Sequence, residues 1–243
     1  MLEEAVPIRR LMSGKPMDAA TAQRMEEVEK QRIQREKEME ERQKALRISD
    51  CIRDLADNVG RRYHPKAASL EKYQVYHKAQ QPVLDKLREL VPRLPELVKE
   101  GRGLIFYGPC GSGKDHLAIA LLYELARGGI KVRWLNGRDI FGAFRDRIDS
   151  RERDEDYFRS LCVPDVLAIS DPLPPHGNVG DWNLENLYRL VDRRYRQRQS
   201  IWVTLNVATV EEADARLSAP VFDRLRHDAE IFGCFWPSFR ERK

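Results

Sequence analysis

Gly103-Leu104-Ile105-Phe106-Tyr107, followed at once by Gly108-Pro109-Cys110-Gly111-Ser112-Gly113-Lys114-Asp115-His116, is the stretch on which the reading of this chain turns. The first five residues form a short apolar run of strand formers. The next seven follow the pattern G-x-x-x-x-G-K, and from Lys114 to Arg127 the spacing of leucines and alanines predicts a helix. A glycine-rich turn between a strand and a helix lets consecutive backbone N–H groups point inward around phosphate oxygens. The helix amino end adds partial positive charge at the same place. Lys114 is the residue that would reach the outer phosphates of a nucleotide. Gly108 to His116 is therefore the candidate cofactor-binding segment, taken residue by residue as Gly108, Pro109, Cys110, Gly111, Ser112, Gly113, Lys114, Asp115 and His116.

Position 115 departs from the usual pattern, which ends in Ser or Thr so that a hydroxyl can face a magnesium ion. A carboxylate facing a triphosphate is repulsive unless a cation lies between them. The second half of such a metal site is expected at the end of a later strand, and Pro164-Asp165-Val166-Leu167-Ala168-Ile169-Ser170-Asp171-Pro172 supplies that strand. The common form there is four apolar residues and then two acids. This chain has Ser170 in the first acidic place and Asp171 in the second, so hydroxyl and carboxylate have traded places between the two segments. In that register Asp115 and Ser170 serve the metal and Asp171 acts on the attacking water. In a competing register Asp171 is the metal carboxylate, Pro172 fills the catalytic place, and the site does not hydrolyse nucleotide.

Outward from the loop, short apolar runs alternate with helical patterns. Strands are expected at Gly103–Tyr107, Ile130–Leu135, Val166–Ile169, Ile201–Leu205 and Glu230–Phe235. Helices are expected at Lys114–Arg127, Asp139–Ile148 and Leu184–Arg196. This alternation predicts an α/β fold with a parallel five-stranded sheet flanked by helices. Upstream, a helix is expected to start at Pro82, with Val83, Leu84, Leu87, Leu90 and Val91 on one face, and to be stopped by Pro92 and Pro95. Residues 48–81 read as an irregular connection with short helices. Thr21–Arg47 is almost entirely helix-forming and charged, with favourable pairs at Glu26–Lys30, Glu38–Arg42 and Glu40–Lys44. Its apolar residues keep no heptad, so it reads as a solvated helix or a docking arm for a partner. The organisation expected is a loose tail over 1–20, a helical partner-binding arm and linker over 21–81, and an ATP-binding domain over 82–243.

Composition narrows the rest. The chain has 243 residues with 43 Lys and Arg against 39 Asp and Glu, a formal net charge of +4. That balance excludes an acidic disordered tail or a polycationic nucleic-acid glue, but not a local basic face. No apolar stretch approaches the roughly 18 residues that span a bilayer, and the start MLEEAVPIRRLMSG lacks the apolar core of a secretory signal. Cys51, Cys110, Cys162 and Cys234 lie far apart without a CxxC pair, so free thiols in a reducing cytoplasm are expected, and no zinc site. On the helix over 184–196, Arg189, Arg193 and Arg196 form a stripe, with Arg194 and Arg198 beside it and few acids to compensate; such a stripe could follow a nucleic-acid backbone or a neighbouring subunit. Arg138, Arg145 and Arg147 make a weaker patch interleaved with acids.

Taken together, these motifs resemble the DnaC/IstB family of AAA+ P-loop ATPases, which includes bacterial helicase loaders and transposition helper proteins. GPCGSGKDHLAIALL is similar to that family's Walker A region and PDVLAISD to its Walker B strand. Val191-Asp192-Arg193-Arg194-Tyr195 resembles the helix that follows, and Thr204-Leu205-Asn206 stands where the family has Thr-Ser-Asn. Asp223-Arg224-Leu225 looks like its arginine-finger segment, and Pro237-Ser238-Phe239-Arg240 like its closing Ser-aromatic-Arg. The likeness runs from about Val59 to Lys243. It implies Mg-ATP as cofactor, with Asn206 as a sensor of the terminal phosphate, Arg224 donated to a neighbouring subunit and Arg240 reaching ATP of its own chain. It also implies assembly with copies of itself on ATP binding, single-stranded DNA, and a replicative helicase or a transposase as partners.

Overall fold

The computed structural model describes residues 19–150, 154–174 and 176–241. The chain divides into two compact units, Met1–Leu46 and Arg47–Lys243. Of the tail expected over 1–20, residues 1–18 lie outside the described residues, while Ala19 and Ala20 already belong to the first helix, α1 (Ala19–Val59).

In the first unit α1 is charged all round. Met25, Val28, Ile33, Met39 and Leu46 are all exposed. Lys30 meets Glu26 at 3.1 Å as the i,i+4 spacing predicts, whereas Glu38 accepts from Gln34 at 2.8 Å. A helix so polar gains little from packing and rests on propensity and such pairs, each worth a few tenths of a kcal/mol.

In the second unit α1 does not stop at Arg47 as expected. Cys51, Leu55 and Val59 recur at every fourth residue and are buried in the core, so packing carries the helix three turns further. Gly60 then ends it with φ +73°, a left-handed geometry that suits glycine at the first position past a helix. After a 3₁₀ turn at Arg61–Tyr63 and irregular backbone, α2 (Gln80–Leu90) buries Leu84, Leu87 and Leu90. Pro92 and Pro95 do not stop the helical path. They fall in the first turns of a 3₁₀ turn (Val91–Arg93) and of α3 (Leu94–Lys99), where the missing N–H costs nothing.

The sheet consists of β1 (Leu104–Tyr107), β2 (Val132–Asn136), β3 (Val166–Ser170), β4 (Ser200–Leu205) and β5 (Glu230–Gly233), in the order β2-β3-β4-β1-β5 with every pair parallel. The connecting helices are α4 (Lys114–Arg127), α5 (Gly137–Ser150), α6 (Asp154–Leu161), α7 (Asp181–Arg196), α8 (Val210–Leu217) and α9 (Ala219–Arg226). Side chains alternate between two cores. Leu104, Phe106, Val166, Ala168 and Trp202 face the core shared by the end of α1, α2, α3 and α4. Ile105, Leu167, Ile169, Ile201, Val203 and Leu205 face the core shared by α5 to α9. The result is a three-layer sandwich, as period-two alternation in a doubly covered parallel sheet requires. No helix among the described residues is long and apolar enough to cross a membrane.

One buried cation holds the end of the sheet remote from the loop. Arg194 of α7 is fully buried and donates to the carbonyls of Leu161, Pro164, Asp165 and Ser200 at 2.8–3.1 Å. Burial lowers its pKa to about 10. Arg194 therefore does not belong to a surface stripe; it knits the starts of β3 and β4 to the end of α6. Arg194→Met should strand those carbonyls and lower stability by at least about 1–3 kcal/mol, the cost of a buried unsatisfied acceptor, read as a fall in the urea midpoint at unchanged slope.

Candidate nucleotide site

The chain leaves β1 at Tyr107 and turns three times through left-handed or glycine-only backbone, at Gly108 (φ +143°), Gly111 (φ +80°) and Gly113 (φ +90°), before α4 begins at Lys114. Glycine is required at these points because a Cβ would be strained and, at Gly108, would lie 2.5 Å from the Cys234 carbonyl oxygen. Lys114 is 6 % exposed, and burial lowers its pKa. Its Nζ curls back on the loop and donates to the carbonyls of Gly108 (2.9 Å) and Pro109 (2.8 Å). Cys110 is an exposed free thiol on the same loop.

The sheet register supplies the next part. Ser170, the last residue of β3, is paired with Thr204 of β4. Both lie in the alternation that faces α4, the side of Ala168 and Trp202. The first turn of α4 carries Asp115 over them. Ser170 Oγ donates to Asp115 Oδ1 at 2.9 Å, and Thr204 Oγ1 donates to the same oxygen at 2.7 Å, the two hydroxyl oxygens being 3.4 Å apart. The departures at 115 and 170 thus meet in space. In the sequence Thr204 is marked only through the resemblance of Thr204-Leu205-Asn206. Its signal was a hydroxyl at the end of an otherwise apolar strand, IWVTL.

Asp171 lies one residue beyond β3 with φ +48°, an uncommon conformation for a residue other than glycine. Its N–H donates to the Thr204 carbonyl at 2.9 Å. Burial raises its carboxyl pKa, opposed by a hydrogen bond from the Asn206 side chain. Pro172 is buried close against Gly137 and does not line the cleft. Ser170 thus meets Asp115, and Asp171 meets Asn206.

These groups open into a cleft of about 600 Å³. Arg62, Lys72, Lys114 and Arg240 line it against two carboxylates, Asp115 and Asp171, a surplus of positive charge that suits a polyanion. His116 lines it too, but its ring sits 5.5 Å from that of Tyr73, and its Nε2 lies 3.5 Å from the Ser69 carbonyl. Burial lowers its pKa. The aromatic wall, Tyr63, Tyr73, Tyr76 and Phe239, comes from segments whose contribution no local sequence signal announced.

Arg224 is not brought to this cleft. It lies at the other end of the sheet in a second cleft with Gly101, Gly103, Arg198 and Gln199. There it donates to Asp192 at 3.1 Å and lies over the Tyr188 ring. The basic stripe on α7 is more compensated than expected. Arg193 pairs with Glu155 on α6 at 2.5 Å, Arg196 pairs with Asp192 at 2.9 Å, and Arg189 stacks on Phe158 at 4.2 Å. One of these acids, Glu155, is distant in sequence, where a local count cannot see it, and the other, Asp192, lies on α7 itself.

Comparison with known proteins identifies a family and a fold. The family of IstB-like ATP binding proteins matches residues 17–243. The replicative helicase loader DnaC of Escherichia coli is 29 % identical over 178 residues, 72 % of this chain and 69 % of that protein. A protein named as the ATP-binding protein of insertion sequence IS5376, from Geobacillus stearothermophilus, is 29 % identical over 173 residues, 67 % of this chain and 65 % of its own length. Among solved structures, the DnaC helicase loader superposes with a TM-score of 0.63 at 24 % identity, covering 72 % of this chain and 99 % of that one. DnaA bound to AMPPCP and single-stranded DNA gives 0.58 at 16 % identity, covering 70 % of this chain and 50 % of that one. At these identities the superpositions speak for the AAA+ fold alone. With the family matched over nearly its whole length, the chain belongs to the IstB-like ATP-binding proteins.

Proposed function

We propose that the protein is a Mg-ATP-dependent switch of the DnaC type, a cytoplasmic protein that binds ATP and single-stranded DNA, assembles with copies of itself and loads a replicative helicase. The observation that carries the nucleotide reading is the meeting of Asp115, Ser170 and Thr204 directly beneath a glycine loop that ends in Lys114. One carboxylate and two hydroxyls are hard oxygen donors, which fit magnesium and no softer ion. Bound with ATP, magnesium would neutralise phosphate charge beside Asp115. Asp115 would hold it, Ser170 would orient water around it, and Thr204 would keep the Asp115 carboxylate in place.

The remaining roles follow from position. Lys114 leaves the Gly108 and Pro109 carbonyls for the outer phosphates, an exchange of hydrogen bonds rather than a loss. Asp171, turned by its positive φ toward Asn206, serves as base for the attacking water, with Asn206 orienting it. Arg240 reaches the phosphates from the C-terminal segment. Arg224, remote from the loop of its own chain, serves the ATP of a neighbouring copy. The exposed, highly charged helix over 19–46 supports a partner-binding arm. A second reading, a transposition helper that acts with a transposase, is favoured by the relative from an insertion sequence at the same identity as the helicase loader. Because Arg193 and Arg196 are paired within the chain, the α7 stripe offers DNA less free charge than its sequence promised.

ATP titrated by calorimetry at millimolar magnesium should show binding, and Lys114→Ala should weaken it about tenfold or more, the worth of a charged hydrogen bond. No uptake by folded protein would overturn the reading. Turnover measured alone, with single-stranded DNA and with the replicative helicase separates the partners. DNA stimulation and a stable helicase complex are expected of the loader, whereas a stable complex with a transposase instead would establish the helper.

A second experiment concerns the exchanged residues. Asp115→Thr removes the only carboxylate of the trio, and Ser170→Asp sets two carboxylates within about 3 Å, a repulsive pair. Each should weaken magnesium-dependent ATP binding, and the double variant should recover it. Equal binding by all four proteins would remove Asp115 and Ser170 from the metal site.

A further inference from the structure

Three hydrogen bonds from outside the glycine motif converge on two of its peptide groups. The Gly111 carbonyl accepts from Phe239 N–H at 2.9 Å. The Ser112 carbonyl accepts from Trp236 Nε1 at 2.5 Å and from the Tyr73 hydroxyl at 3.2 Å. Tyr73 lies between the 3₁₀ turn at Arg61–Tyr63 and α2, and Trp236 and Phe239 follow β5, so the two sides of the contact come from opposite ends of the ATP-binding unit. Both approach closely. A Cβ on Gly111 would meet Ser238 Oγ at 2.0 Å, and one on Gly113 would meet the Tyr73 hydroxyl at 3.2 Å.

The direction of the Tyr73 hydroxyl is itself set. Gln80, 1 % exposed at the start of α2, donates its Nε2 to Tyr73 Oη at 3.0 Å. Its Oε1 accepts from the N–H groups of Tyr76 (2.7 Å) and His77 (2.8 Å), which fixes the orientation of the amide. With its oxygen already accepting from Gln80, Tyr73 directs its single proton to Ser112.

In a trans peptide the C=O and N–H point in opposite directions, and there is no cis bond among the described residues. Holding the Gly111 carbonyl outward therefore turns the Ser112 N–H inward, and holding the Ser112 carbonyl outward does the same for the Gly113 N–H. Among the described residues neither N–H donates to a protein acceptor. We propose that Tyr73, held by Gln80, and Trp236 are positioning residues that clamp the Ser112 carbonyl and so pre-orient the Gly113 N–H for phosphate. The clamp rests on the nucleotide reading for its purpose, but its effect on the loop stands without nucleotide. Preorganised donors bind an anion without the cost of first being ordered.

The full-length chain tests this with Tyr73→Phe, which removes one oxygen, with Trp236→Phe, and with the pair. Backbone ¹⁵N order parameters of Ser112 and Gly113 are read without nucleotide, beside calorimetry with ATP and magnesium and a thermal melt. Each single variant leaves the carbonyl one donor and should weaken ATP about threefold to tenfold. The double variant leaves a buried carbonyl with neither side-chain donor, so its loss should exceed the product of the two. The Gly113 amide should drop from the rigid range near 0.85, while the Ser112 amide, whose peptide is held by the Phe239 N–H, keeps its value. A Gly113 order parameter at the parent value in folded variants would overturn the clamp, whatever the affinity. Should the double variant not fold, Tyr73→Phe alone decides by the same measurement. A parent protein that binds no ATP would sink the function proposed above and leave the amide result to judge the clamp.

Discussion

A helix with no wet face constrains everything around the site. From Leu117 to Ala126 every residue of α4 except Glu124 is buried, most of them completely. A helix of this kind is stable only with the sheet on one side and further helices on the other. That fixes its amino end above the carboxyl ends of β1, β3 and β4, where parallel α/β sheets present their ligand sites. It also denies Asp115, on the first turn, full access to water. A carboxylate so placed needs donors, and the parallel register of β3 and β4 brings two hydroxyls to one of its oxygens. The unusual residue after Lys114 is therefore accommodated by the sheet beneath the loop, and two strands with a different register could not have held it.

The parts that could be read from the sequence are those whose physics is local. GLIFY and VLAI are short apolar runs, and both became central strands within a residue or so of their expected limits. The phosphate loop declares itself through glycines whose positive φ only glycine accepts comfortably. The exchange of hydroxyl and carboxylate could be noticed from spacing, since each segment departs from the usual pattern in the opposite sense. Distant contacts were silent. Residues 48–59 read as irregular because Cys51, Leu55 and Val59 make a sparse stripe whose partners lie beyond residue 60. Pro92 and Pro95 read as stops because the chain is re-initiated, rather than continued, at each of them. Arg194 read as one of several surface arginines, although four backbone carbonyls from three separate segments enclose it. Nothing near Tyr73 or Trp236 indicates that both face Ser112.

The two ends of the sheet carry opposite electrostatic arrangements. At the carboxyl end, cations from four separate segments line one cleft without a full complement of acids. At the other end arginines are abundant but engaged. Arg102 pairs with Glu230, Arg196 and Arg224 share Asp192, and Arg194 is spent on carbonyls. Of those not fully buried, Arg224 is held from the most sides. It is part-exposed and donates to Asp192, to the Pro220 carbonyl at 2.8 Å and to the Tyr188 hydroxyl, with its guanidinium over the Tyr188 and Tyr195 rings. A guanidinium held that way is presented in a defined direction.

A carboxylate on the helix and a hydroxyl on the strand conserve charge relative to the usual pattern but not mechanics. A carboxylate at the end of β3 would be as rigid as the sheet. On α4 it directly follows Lys114, so the residue that would meet the phosphates and the one that would meet their cation share the first turn of one helix. The helix amino end that favours a bound phosphate also favours the resident carboxylate, and the two anions compete for the same partial charge unless a cation joins them. Ser170 and Thr204 stay on the rigid sheet as hydroxyls, able to donate to Asp115 in one state and to turn their lone pairs to water in another. The exchange thus moves the carboxylate from the strand end to the first turn of α4, with the hydroxyl ends of β3 and β4 directly beneath it.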